Sequence, residues 1–186
     1  MKTLVIHPDD RSTDFLKQIY EGRDFTVFNG HKKDISASKF RKLVKAHDRI
    51  IMMGHGFPGG LFMSHIDPTL VYLLRKKECI CIWCNADQFV NKYGLKGFYT
   101  GMFISEVGEA AWFHIKTDQE AVDYSNQLFT QLVTDNIDLE NPQPIIKENY
   151  VGDCPVIRYN NDRLYYNAEV GERSQVDKNG EHILIS

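Results

Sequence analysis

Arg49-Ile50-Ile51-Met52-Met53-Gly54-His55-Gly56 and, further on, Cys79-Ile80-Cys81-Ile82-Trp83-Cys84 are the stretches whose reading decides the fold. Each has a core of large apolar side chains with no polar residue alternating between them. A run of that length is a strand, and the missing alternation marks a strand covered on both faces, as in a parallel sheet. Between the two runs, Asp67-Pro68 has the form of a helix start: a capping carboxylate, then proline at the first helical position. Leu70, Val71, Leu73 and Leu74 give that helix an apolar stripe. Lys76 and Lys77 suit the negative end of its dipole. Strand, helix, strand is the crossover unit of a parallel sheet.

The same rhythm extends outward. Residues 4–7 read as a first strand and residues 25–28 as a second, separated by a helix opened by Ser12 that carries Phe15, Leu16 and Ile19. Ser36 or Ser38 opens the next helix, with Phe40, Leu43 and Val44 at helical spacing. Residues 86–93 form a short helix ended by Gly94, residues 98–104 a fifth strand, and residues 118–133 a long amphipathic helix. The expectation is an α/β fold: a three-layer α/β/α sandwich with a mainly parallel sheet, spanning residues 1–140. Asn141-Pro142-Gln143-Pro144 then reads as a stiff connector. Residues 155–160 and 164–167 read as two strands of a C-terminal β-hairpin turning at Asn160-Asn161-Asp162. Residues 141–186, hairpin and tail, should pack on the same domain. From Glu169 the tail is polar as far as Ile183-Leu184-Ile185.

A chain of 186 residues suits one domain with a real core. Its 22 basic and 25 acidic residues give a net charge of −3, without the positive field that attracts nucleic acid. Lys39, Arg41, Lys42 and Lys45 read as the wet face of a helix. No stretch approaches the ~18 apolar residues of a membrane span. The first apolar run meets Asp9 and Asp10 too soon for a signal peptide. A cytoplasmic protein with reduced thiols is expected, and no cofactor or metal. Cys79, Cys81 and Cys84 crowd one strand, where neighbours rarely make a disulfide.

In open parallel sheets, ligands bind beyond the carboxyl ends of the strands. His55 follows one such end and Cys84 closes another; the gap, 84 − 55 = 29 residues, holds one crossover helix. Neighbouring strands lie about 4.8 Å apart, so the two side chains should be close. His55 could then take the thiol proton of Cys84 and leave a nucleophilic thiolate. The amides of Gly56 and Cys84 could together form an oxyanion hole. Glu106, Glu109 and His7 are candidates for substrate binding at the same edge.

An apolar strand ending in Gly54-His55-Gly56, one helix, then an apolar strand ending in Cys84 resembles the caspase-like cysteine peptidases. The resemblance covers about residues 49–105. It implies a caspase-like sheet, His55 as base, Cys84 as nucleophile, the Gly56 and Cys84 amides as oxyanion donors, and a peptide substrate. Two positions differ from the usual pattern: Trp83 stands where a small residue precedes the cysteine, and Asn85-Ala86-Asp87 follow it.

Other readings stay open. Cys84 can be a buried structural thiol, a relict site in a non-catalytic binding domain, and the substrate can be a peptide or a small molecule. Cys81-Ile82-Trp83-Cys84 spells Cys-x-x-Cys, but Cys81 lies inside the strand rather than at a helix start. His55, His65, Cys81 and Cys84 could be combined into a zinc site, at a spacing unlike that of a zinc finger. Gly54 to Gly60 is glycine-rich but matches no phosphate-binding fingerprint. Asp9, Asp10, Glu106 and Glu109 could serve a nucleoside- or sugar-processing enzyme that works with carboxylates. Arg158, Tyr159, Arg163, Tyr165 and Tyr166 could form a partner surface on the hairpin.

Overall fold

The computed structural model describes residues 1–171 and the backbone of 173–176 and 182–185. Its strands are β1 (Thr3–Ile6), β2 (Thr26–Phe28), β3 (Arg49–Met53), the short pair β4 (Gly56–Phe57) and β5 (Gly60–Leu61), β6 (Glu78–Ile82), β7 (Lys96–Thr100), β8 (Leu164–Asn167), and the antiparallel pair β9 (Arg173–Val176) and β10 (His182–Ile185). The main sheet runs β2-β1-β3-β6-β7-β8, parallel throughout except for β8, which pairs antiparallel with β7. Its five parallel strands follow the order 2-1-3-4-5 of the flavodoxin-like sheets.

Every residue of β1 and β3 is buried, as is β6 after its first residue, because helices cover both faces. On one face lie α1 (Ala37–Lys45), α2 (Val71–Leu74) and α3 (Ala86–Tyr93), which pack Phe40, Leu74 and Phe89 against Leu4, Ile50 and Cys81. On the other lie a 3-10 helix (Arg11–Ile19) and three helices that follow β7, α5 (Gln119–Asn136), α6 (Gln143–Asn149) and α7 (Pro155–Asn161), while α4 (Val107–Trp112) packs Ala110 with Ile104, Val122 and Val156. Leu16, Phe129, Ile146 and Ile157 from this layer meet Val5, Ile51 and Ile80. The three-layer sandwich is thus set by which strand residues point up and which down.

Several elements form for reasons visible in their own residues. Ser36 accepts from the Lys39 amide and opens α1; Asp67 accepts from Thr69 ahead of Pro68; Asp118 accepts from Ala121 and opens α5. The segment after β1 is a 3-10 helix rather than an α-helix. Its buried residues Thr13, Leu16 and Ile19 recur every three positions, the period of a 3-10 turn. It is capped by Asp10, not by Ser12.

Residues 155–160, expected as a hairpin strand, are helical. Pro155 at the first turn is pre-set for a helix, and Val156, Ile157 and Asn160 form its buried face. The C-terminal antiparallel pair is instead β9 with β10, and residues 164–167 join the main sheet as β8. Tyr165 stacks on Tyr99, Tyr166 packs on the opposite face of the sheet, and Arg163 covers the Tyr159 ring, so this aromatic set is largely spent on packing. The expected connector at 141–144 runs into α6, whose amide-free Pro144 is tolerated in a first turn. The fifth strand stops at Thr100, and residues 101–104 curl over the sheet edge. The polar tail falls partly on residues 172 and 177–181, which lie outside the described residues.

β6 and β7 approach closely at Gly97, which has φ +124°; a Cβ there would sit 1.9 Å from the Cys79 carbonyl oxygen. Gly97→Ala therefore has both a forbidden backbone angle and a backbone clash to resolve. It should lower unfolding stability by about 3 kcal/mol or more, measured as a shift of the urea midpoint.

Candidate functional site at the carboxyl edge of the sheet

β3 and β6 are direct neighbours in register, Arg49 opposite Glu78 through Met53 opposite Ile82. The ladder runs one step further, with the Gly54 amide donating to Ile82 O at 3.1 Å. His55 and Cys84 each lie two residues past the strand end, in the turns that leave the sheet. Both reach a single cleft of about 740 Å³. Gly56, Glu106 and Glu109 line it too, as do Asp9 and Asp10. Phe62 and Met63 after β5 form one rim; Trp112, 76% exposed, and Phe113 form the other. Among the described residues, no Lys or Arg lines this cleft.

Cys84 lies in the turn between β6 and α3, and Asn85 completes that turn in the left-handed region at φ 64°. Asparagine tolerates this conformation better than other side-chain-bearing residues. The thiol donates to Phe103 O at 3.4 Å and faces Glu109 Oε1 at 3.8 Å. Burial, and then the Glu109 charge, push the thiol up to about 12. Cys84 and His55 thus share a cleft, but the polar atoms nearest the thiol are oxygens.

Glu109 is buried. Its Oε2 accepts from the Ser105 amide at 2.8 Å, the Ser105 hydroxyl at 3.2 Å and the Glu106 amide at 3.2 Å. It is the inner carboxylate of the α4 start, engaged in fixing that turn rather than free to bind a basic substrate group. Glu106 is exposed within the cleft.

His7 does not reach the cleft, contrary to its expected part in substrate binding. It is 1% exposed, with Nδ1 at 3.1 Å from Tyr20 Oη and Nε2 at 3.0 Å from Thr13 Oγ1. Its position as the first residue after β1 turns it under the 3-10 helix, and Asp9 and Asp10 reach the cleft instead.

His55 Nε2 lies 2.6 Å from Ser12 Oγ. Ser12 Oγ donates in turn to Asp10 Oδ1 at 2.7 Å, which also accepts the Ser12 amide at 3.0 Å. These two bonds hold the Asp10 carboxyl below the usual carboxylate range. Gly56 has a packing cause beside any catalytic one: a Cβ there would lie 2.2 Å from Trp83 Cδ1. The large residue before the cysteine fills the space that this glycine leaves.

Sequence reasoning missed Ser12 as the partner of His55. The signal was present in Asp10-x-Ser12 just past β1, but only the strand order brings it to His55. It also missed Asn160, whose buried amide clamps Ile104 by accepting its N–H at 2.8 Å and donating to its carbonyl at 2.9 Å. That clamp holds the segment carrying Phe103 O over Cys84.

The other cysteines are packing residues. Cys79 and Cys81 are buried in β6, and burial pushes their thiols up, Cys79 to about 12. His65 donates to Ile35 O. Among the described residues, no group of three or more His, Cys, Asp or Glu is arranged to hold a metal ion, and no helix is long and apolar enough to cross a membrane. No protein-family model, curated protein or solved structure matches the chain.

Burial, reinforced by the charge of Lys17, pushes His7 down to about 4 from 6.5. The unfolded chain then binds a proton in this window that the folded chain refuses. Stability conferred by neutral His7 is present above pH 6.5 and lost as pH falls toward 4, about 3 kcal/mol in all. Urea unfolding at pH 6.5 and 4 should show this drop, reduced in His7→Gln.

Proposed function

We propose that the chain is a thiol-dependent hydrolase of a peptide or related acyl bond, working in a reducing compartment such as the cytoplasm, with Cys84 as nucleophile and His55 as base. The observation that carries this reading is the delivery of both side chains, by two directly paired strands, into one cleft at the carboxyl edge of the sheet. The caspase-like resemblance of the Gly54-His55-Gly56 and Cys84 strand ends points the same way.

In the reaction, His55 takes the Cys84 proton as Sγ bonds to the substrate carbonyl carbon. The leaving amine departs with that proton, and water then cleaves the thioester and restores the thiol. With a pKa of about 12, on the order of one thiol in 10⁵ is ionised at pH 7. Activation requires His55 to reach the thiol as substrate fills the cleft, in line with catalytic hydrogen bonds that tighten in the substrate complex.

A second reading, a non-catalytic binding cleft, draws on the same thiol, held by Phe103 O and Glu109. A carboxylate-based enzyme is left mainly with Glu106, since Glu109 and Asp10 are engaged in hydrogen bonds and Asp9 pairs with Lys17 at 3.6 Å.

Hydrolysis of a mixed peptide library, read by mass spectrometry, separates the three. Turnover that falls at least 100-fold in both Cys84→Ala and His55→Ala is the expected result. Turnover kept in Cys84→Ala but lost in Glu106→Gln would move the chemistry to the carboxylate. Saturable peptide binding without cleavage would leave the binding cleft. In free protein at pH 7, iodoacetamide should label Cys84 slowly, and Glu109→Gln should speed that labelling several-fold by removing a charge that opposes the thiolate.

A further inference from the structure

The hydroxyl of Ser12 has one proton and two strong neighbours. Asp10 Oδ1, at 2.7 Å, is a carboxylate oxygen and can only accept; its low pKa keeps it ionised. His55 Nε2, at 2.6 Å, can donate or accept according to its tautomer. With the Ser12 proton committed to Asp10, Ser12 Oγ is left as an acceptor, and His55 Nε2 must carry hydrogen. We propose that Asp10 and Ser12 are positioning residues that fix neutral His55 as the Nε2–H tautomer, so that Nδ1 is the basic nitrogen available to Cys84. This rests on the proposed His55–Cys84 reading for its role, but the tautomer itself does not depend on it.

The arrangement is anchored. Asp10 caps the 3-10 helix through the Ser12 amide, and that helix buries Thr13, Leu16 and Ile19 against the sheet. Ser12 therefore holds its place beside the β3 end through the core of the protein. The chain Asp10–Ser12–His55 also gives a positive imidazole a route to a carboxylate: an imidazolium formed at Nδ1 still donates from Nε2 to Ser12, which donates to Asp10. This is the part played in many hydrolases by a carboxylate bound to the second ring nitrogen. Ser12 acts through His55 and touches no substrate in this scheme.

The competing assignment has the opposite proton order. If Ser12 donates to Nε2, then Nδ1 carries hydrogen and cannot act as base toward Cys84, and Ser12 itself becomes a nucleophile beside a general base. The two assignments are chemically exclusive, and the ring nitrogens report which holds.

Long-range ¹H–¹⁵N spectra of full-length protein labelled at histidine, recorded well above the ordinary imidazole range, resolve the tautomer, with His55→Gln assigning the signal. The expected result is protonated Nε2 and bare Nδ1 in the wild type and in Ser12→Thr, which keeps the hydroxyl. In Asp10→Ala the freed Ser12 proton should turn to Nε2 and move the signal toward the Nδ1–H pattern. Protonated Nδ1 in the wild type would overturn the proposal, as would a tautomer untouched by Asp10→Ala in a protein whose amide spectrum stays folded. On peptide turnover, Ser12→Ala should lower kcat about 10-fold or more with little change in KM, and Ser12→Thr should restore it. Complete loss of turnover in Ser12→Ala with turnover kept in Cys84→Ala would make Ser12 the nucleophile and overturn both readings. Absence of all turnover with the Nε2–H tautomer present would sink the hydrolase and leave the tautomer assignment standing.

Discussion

The pairing of β3 with β6 is the constraint on which the rest depends. Their register offsets the two strands by 78 − 49 = 29 residues, and 84 − 55 is the same number. His55 and Cys84 each follow the last paired residues by two positions, and both line the same cleft. Both strands are buried, with one side chain in two facing each helical layer. A slip of one residue would turn every apolar side chain on one strand to the wrong layer. The site's geometry is thus protected by the cost of disturbing the core, without any bond between the two side chains themselves.

Covering that pair on both faces dictates the surroundings of the cleft. After Met53 the chain must leave the sheet, and Gly54, at φ +131°, takes the turn. The β4–β5 hairpin then folds across Trp83, whose indole N–H donates to Phe57 O at 3.3 Å and whose ring lies against Gly56. Phe57 stacks on Phe62 with ring centroids 4.9 Å apart, which stiffens the rim carrying Met63. Trp83 thus supports the cleft wall from beneath. The position that departs most from a peptidase pattern is occupied for a packing reason, and Gly56 is its complement.

The parallel core was legible because its strands are continuous apolar runs, and Asp67-Pro68, Asp118 and Gly94 mark helix ends by mechanisms that survive in three dimensions. That His55 and Cys84 would line one cleft was legible because it needs only two strand ends and one crossover. The C-terminal region was not: Val156 and Ile157 on a short segment read equally as strand or helix, and only Pro155 at the first turn favours the helix. Ser12 was read as a cap because local spacing favours that use, whereas its contact with His55 crosses 43 residues and exists only once β1 lies beside β3. Glu109 looked like a free carboxylate for the same reason, since its bonds to Ser105 and Glu106 appear only when α4 forms.

The electrostatics of the cleft pose a problem that the fold itself addresses. Raising Cys84 from 9 to about 12 disfavours a lone thiolate by about 4 kcal/mol. The larger part is burial, which a substrate closing the cleft would deepen rather than relieve. A thiolate can therefore form there only together with a nearby cation. Proton transfer from Cys84 to His55 makes both ions in one step, and their attraction grows in the same dry surroundings that penalise either alone. On the hydrolase reading, that imidazolium would be stabilised through Ser12 by Asp10, a carboxylate at the more exposed end of the chain of bonds. Glu109 on the thiol side opposes ionisation and Asp10 on the imidazole side favours it. On the hydrolase reading, the balance between these two carboxylates sets how readily the thiol ionises when substrate brings the pair together.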